Sequence, residues 1–221
     1  MTNPRINTVL FNEDQLELDT DLLTPAIVLV TDVQAAGRYR GHIGQADGSS
    51  KSFSLVVQGP PAEPSVNIDL STEWTTDPTF NVAASGHVVL SIGHGAGGNT
   101  VRIFNDVSLL VDNTKLRKGQ LLVLRLLRPG KHLLEDKTGG GTCTLMVQYP
   151  TTKPPVATQP VSLTVAKPAG TPNTTITPNN VVLSVAQPVV VTVDDGTHLV
   201  STLQATTNLM AARPVTTDVV R

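Results

Sequence analysis

Short apolar runs, many of them β-branched and most alternating with polar residues, recur along the chain between Gly, Pro and Asp-Gly breaks. That period of two predicts strands, each with one buried face. Pro25 to Val33 (PAIVLVTDV) predicts a strand. RYRGHIGQ, the turn Asp47-Gly48-Ser49-Ser50 and SFSLVVQG predict a hairpin, ended by Gly59-Pro60-Pro61. VNIDL, FNVAAS, HVVLSIG, TVRIF and VSLLV continue the series. QLLVLRLL, KHLLED and CTLMVQY follow, separated by Arg128-Pro129-Gly130 and Gly139-Gly140-Gly141. The expected fold is therefore all-β, an antiparallel sandwich or jelly roll.

Two stretches depart from simple alternation. Asn12 to Leu23 predicts a short helix, with Asn12 as N-cap before acidic residues. Thr114 to Arg128 carries leucines at helical spacing, but Gly119 and Pro129 oppose a helix. Both faces of QLLVLRLL are apolar, which predicts a central strand covered on both sides.

The pattern changes after Tyr149, where PTTKPPVATQP reads as a Pro/Thr linker. The expected organisation is a β-sandwich or jelly-roll domain over 1–149, a linker over 150–160 and a C-terminal β arm or small second β domain over 161–221. VSLTVAKP (Val161 to Pro168) and VVLSVAQP (Val181 to Pro188) are similar. They read as two strands of one sheet, each stopped by a proline that cannot donate to the ladder. A repeated unit in a stacked structure is the alternative.

Composition narrows the function. A net charge of -2 and a pI near 6.2 argue against global attraction to nucleic acid. Exposed aromatic platforms for sugars are short of material, with Trp74, Tyr39, Tyr149 and four Phe. Cys143 is the single cysteine, so no intrachain disulfide is expected. The first residues show no removable signal, no apolar run has the length of a membrane helix, and synthesis in the cytoplasm is expected.

The chemical motifs each lack a component. Gly93-His94-Gly95-Ala96-Gly97-Gly98 satisfies G-x-G-x-x-G, with Asp112 downstream, but a strand-like NTVRIF replaces the helix that would meet a pyrophosphate. The motif is expected to be a hairpin loop and no cofactor is expected. His42, His87, His94, His132, His198 and Cys143 show neither i, i+4 nor C-x-x-C spacing, so no metal site is expected. No G-x-S-x-G elbow is present, and Cys143 sits among apolar neighbours. Glu135 and Asp136 are adjacent on a strand and point to opposite faces. Asp194-Asp195-Gly196 reads as a hairpin turn. No catalytic residue is expected. Lys115, Arg117, Lys118, Arg125, Arg128 and Lys131 form an acid-free cluster, either a patch for an anionic surface or charged strand edges that discourage pairing.

Leu127 to Val147 (LRPGKHLLEDKTGGGTCTLMV) resembles the closing strands of cupredoxin-type sandwiches, where a Pro-Gly turn leads into the last hairpin. A copper-binding member would carry Cys, His and Met in close succession. Here Cys143 and Met146 have no adjacent histidine.

In overall character the chain resembles small virion structural proteins, namely single jelly-roll coat proteins and phage capsid decoration proteins. That resemblance implies a non-enzymatic protein, made in a host cytoplasm and located in the virion, with partners that are its own copies or other capsid subunits. The tail would donate strands to a neighbour through Val161, Leu163, Val165, Val181, Leu183, Val185, Val191 and Val193. The alternative is an Ig- or cupredoxin-like binding or adhesion module, which would be extracellular.

Overall fold

The computed structural model describes residues 17–94, 97–149 and 159–205, and among these the protein is all-β with no helix. The strands of the first half are β1 (Glu17–Asp19), β2 (Ile27–Val33), β3 (Gly37–Gly44), β4 (Ser50–Gln58), β5 (Ser65–Asp69), β6 (Thr79–Ala83), β7 (Gly86–Ser91) and β8 (Thr100–Phe104). Those of the second half are β9 (Leu109–Asp112), β10 (Leu121–Arg125), β11 (Gly130–Asp136), β12 (Thr142–Gln148), β13 (Val161–Ala166), β14 (Thr175–Thr177), β15 (Asn180–Ser184), β16 (Pro188–Thr192) and β17 (Leu199–Ala205). They form a central seven-stranded sheet, β14-β13-β16-β10-β2-β7-β5. Two five-stranded sheets flank it, β6-β4-β3-β8-β9 and β1-β17-β11-β12-β15.

The period-two pattern translates directly into burial. Ile27, Leu29 and Val33 of β2 are buried, as are Cys143, Leu145 and Val147 of β12. The β3–β4 hairpin forms as expected, with Gly48 at φ 84 supplying the left-handed turn residue.

The expected antiparallel sandwich or jelly roll is corrected by the pairing. From β4 to β7 the chain alternates between a flanking sheet and the central one. β4 therefore lies parallel to β6, and β5 parallel to β7. Strands two apart in order run the same way because the strand between them makes the return journey in the other sheet. The second half repeats this, with β12 parallel to β15 and β13 parallel to β16. Such winding is that of a short β-solenoid, and hairpin-spaced turns in the sequence carry no sign of it.

Other expectations change too. Glu17–Asp19 is a strand paired with β17, while Asp19 Oδ1 accepts the Asp21 N–H at 2.8 Å and turns the chain where a helix was expected. Residues 12–16 of that expected helix lie outside the described residues. β10 is central as expected, between β16 and β2, but only its Leu122 and Leu124 face is buried. VSLTVA is β13 of the central sheet and VVLS belongs to β15 of a flanking sheet, so the two similar segments do not share a sheet. The loops at Gly93–Gly98 and Asp194–Gly196 join strands of different sheets, so neither is a hairpin.

The residues expected to reach a neighbouring subunit belong to this chain's own interior. Leu163, Val165, Leu183, Val191 and Val193 are at most 2% exposed, and Val161, Val181 and Val185 pack against the same core. Their strands satisfy their backbones inside the chain, β16 on β10 and β15 on β12. An arm donated outward would have to dismantle these pairs.

The two halves have the same topology. β2 with β7 and β5 corresponds to β10 with β16 and β13, and β3 with β4, β6 and β8 corresponds to β11 with β12, β15 and β17. Detail matches as well. Leu23 bridges Asn99 as Leu116 bridges Thr197. Among the described residues, Ser85 and Ala186 are the two non-glycine residues with positive φ, 67° and 63°. Their N–H groups donate to Val33 O at 2.7 Å and Leu126 O at 2.9 Å. The Tyr39 hydroxyl donates to Ala35 O at 3.0 Å, and His132 Nε2 lies 2.9 Å from Arg128 O. A carbonyl only accepts, so His132 carries its proton on Nε2 and does the work of the tyrosine. The first strand of each repeat crosses over: β1 pairs with β17, the last strand of the second repeat, and β9 with β8, the last of the first. β14 has no counterpart among the described residues.

Candidate functional site

Leu29 and Leu122 are equivalent positions that pair with each other across β2 and β10, so a pseudo-twofold axis passes between them. Their side chains face the core. The alternate residues of the same strands face outward, and these too are apolar. On the outer face of the central sheet Val190, Val123 and Val28 form one row across β16, β10 and β2. Leu121, Val30 and Val89 form the next across β10, β2 and β7. The pseudo-axis exchanges the two rows. All six side chains are part-buried, and none belongs to the core cluster or to the residues packed against it. Polar residues bound the rows, Ser162 beside Val190, Thr192 beside Leu121 and Asn67 beside Val89.

Charge sits at opposite corners of this face. Asp32, exposed on β2, pairs with His87, whose Nδ1 is 2.8 Å from Asp32 Oδ1. The position equivalent to Asp32 is Arg125, exposed beside Pro188. One acid and one base thus occupy symmetry-related places, roughly 20 Å apart by strand geometry.

The basic cluster expected from the sequence is divided. Lys115, Arg117 and Lys118 precede β10, whereas Arg125, Arg128 and Lys131 lie at and beyond its far end. Lys118 N–H donates to Asp195 Oδ1 at 3.0 Å, and Arg117 donates to Leu109 O at 2.6 Å. The six therefore do not form one patch.

Cys143 and Met146 lie on opposite faces of β12, Cys143 inward and Met146 outward, so they do not share a ligand set. Burial pushes the Cys143 thiol up to about 11. Burial also lowers His132, with the bond to Arg128 O opposing. Asp136 is buried and accepts from Thr174 Oγ1 at 2.6 Å, while Glu135 on the other face pairs with Lys137. Asp194 Oδ2 accepts the Lys167 N–H at 3.1 Å, which holds its carboxyl below the usual range. In the glycine-rich loop, Gly93 N–H donates to Asp69 Oδ1 at 3.0 Å and β8 follows; residues 95–96 lie outside the described residues.

One donor cluster was not evident from spacing. Asp19, Asp21 and His198 bring three candidate ligand atoms within 4.8 Å of one another, where β1 meets β17. His198 Nε2 is 2.8 Å from Asp19 Oδ1 and 3.6 Å from Asp21 Oδ1. Asp21 Oδ1 is buried without a hydrogen-bond partner, and burial raises the Asp21 carboxyl, reinforced by Asp19 and Asp112 and opposed by His198. Two carboxylates and an imidazole are donors a divalent cation accepts. The contact between His198 and Asp19 also ties the crossing strand β1 to the start of its partner β17.

The outer face did have a signal in the sequence. Ile27-Val28-Leu29-Val30 and Leu121-Leu122-Val123-Leu124 are apolar on both faces, and a strand with one solvated face does not need that. Comparison with protein-family models, curated proteins and solved structures found no significant match.

Proposed function

We propose that this protein is a non-enzymatic structural protein that works by assembling with copies of itself or with a neighbouring subunit, as a capsid or capsid-decoration component of a virion. The observation that carries assembly is the pair of apolar rows on the outer face of the central sheet. These side chains add nothing to the core from where they stand. They gain free energy, about 25 cal/mol per Å² of apolar area, when another surface covers them. The virion setting rests on the character of the chain, a weakly charged β framework with a Pro/Thr-rich segment. Assembly through an outward arm at Val161 to Val193 is set aside, because those strands are already paired within the chain.

Light scattering on the full chain across a concentration series, with mass spectrometry of particles purified from the natural source, tests this reading. Concentration-dependent association and a fixed copy number per particle are expected. A chain that stays monomeric and is absent from particles would overturn it.

A further inference from the structure

We infer that the outer face of the central sheet binds the same face of a second copy, in a register that places Asp32 of each chain against Arg125 of the other. The inference rests on the assembly reading and adds the surface, the partner and the register.

Three observations lead there. The six part-buried residues in two rows make an apolar centre with a polar margin, the layout of a specific interface. The pseudo-twofold axis through the Leu29–Leu122 pair makes the face nearly self-matching. Valine meets valine or leucine whichever way a second copy is turned, so the apolar centre alone leaves the orientation open. The charged corners fix it. Asp32 and Arg125 are exchanged by the pseudo-axis but carry opposite charge. A twofold axis lying in the plane of the face, perpendicular to the line joining them, sets each Asp32 opposite the partner's Arg125 twice over. The alternative, with the axis along that line, sets Asp32 on Asp32 and Arg125 on Arg125, and like charges facing each other reject it.

The size of the face sets the strength. With its polar margin the face runs over the six strands from β13 to β5, and at about five residues each these cover on the order of 500 Å² per copy. A pair then buries about 1,000 Å², near the lower limit for specific association. A dimer in the micromolar range is expected, stronger wherever many copies are arrayed.

Sedimentation equilibrium on the full chain from about 1 μM to 1 mM tests this, with circular dichroism confirming that each variant is folded. Wild type is expected to dimerise, and Val123→Glu, which puts a carboxylate into the apolar centre, to weaken the dimer by about 100-fold or more. Asp32→Arg and Arg125→Asp should each weaken self-association at least about tenfold, because each leaves a chain with two like corners. Mixed one to one, they should form a heterodimer, since both corner pairs are again opposite in sign. Association indifferent to all three substitutions would overturn the surface while leaving assembly standing. Association sensitive to Val123→Glu but not rescued by mixing would overturn the register. A wild-type monomer throughout would overturn the homodimer, as would one that dimerises only when residues 1–16 or 206–221 are removed, which would make the chain's own end the occupant. In either case particle mass spectrometry judges the assembly reading separately.

Discussion

Leu29 of β2 and Leu122 of β10 are each other's partner across an antiparallel pair and each other's equivalent in the two repeats, and both are fully buried. They are the hinge of the molecular symmetry. Leu29→Ala and Leu122→Ala should therefore cost similar amounts, about 3 kcal/mol each. Their double variant should depart from additivity because the two cavities adjoin. Denaturant midpoints of the three variants check this, and costs differing by more than about 2 kcal/mol would speak against equivalent environments.

Gly41 and Phe53 are paired across β3 and β4, and a Cβ on Gly41 would stand 2.0 Å from Phe53 Cζ. The ring has nowhere to go, being packed edge-on against Trp74 and Phe80 at 6.0 and 5.7 Å. Gly41→Ala should destabilise by about 3 kcal/mol. The second repeat fills the equivalent place the other way round, with Leu134 opposite Cys143. Gly41→Leu with Phe53→Cys should consequently be more stable in urea than Gly41→Leu alone.

His132 supplies a pH dependence whose sign is fixed by its burial. The folded state holds it neutral below the normal value of 6.5, so below that pH the unfolded chain takes up a proton that the folded chain does not. Stability from this residue is complete above about pH 6.5 and is lost as pH falls from there to the lowered folded value. His132→Gln should flatten the dependence of the urea midpoint on pH in that window.

Cys143, 1% exposed and with its thiol raised to about 11, should resist a thiol reagent at pH 8 in the native protein and react fully in denaturant. Labelling in the native state at a rate close to that of the unfolded chain would contradict the placement of β12.

Ala186 holds φ at 63° while its N–H donates to Leu126 O. Ala186→Gly should relieve that backbone cost and offset the glycine entropy, leaving stability unchanged or raised by up to about 1 kcal/mol. A loss above about 1 kcal/mol in thermal unfolding would count against the left-handed turn.

Alternation made nearly every strand legible, because inward and outward parity is written residue by residue. Pairing was not. Whether β4 meets β5 or β6 depends on where the intervening strand travels, and the local sequence is the same either way. The duplication was hidden for a related reason. Each repeat needs a side chain inward at a given place, but Tyr39 and His132, or Phe53 and Cys143, meet that need with different chemistry. The visible likeness of VSLTVAKP to VVLSVAQP instead joins strands of different sheets, and the prolines differ in place: Pro168 lies beyond the end of β13, whereas Pro188 opens β16. At the candidate interface, the doubly apolar β2 and β10 were readable, whereas Asp32 and Arg125 become a pair only when the fold brings their strands together.

The crossing of β1 to β17 has a consequence during synthesis. The first repeat's flanking sheet gains its edge from β9, which leaves the ribosome directly after β8. β1 is made before these strands, yet its partner is β17, the last of the described strands. Until β17 has been made, β1 has no partner for its hydrogen bonds, and that edge is open to interception by another strand.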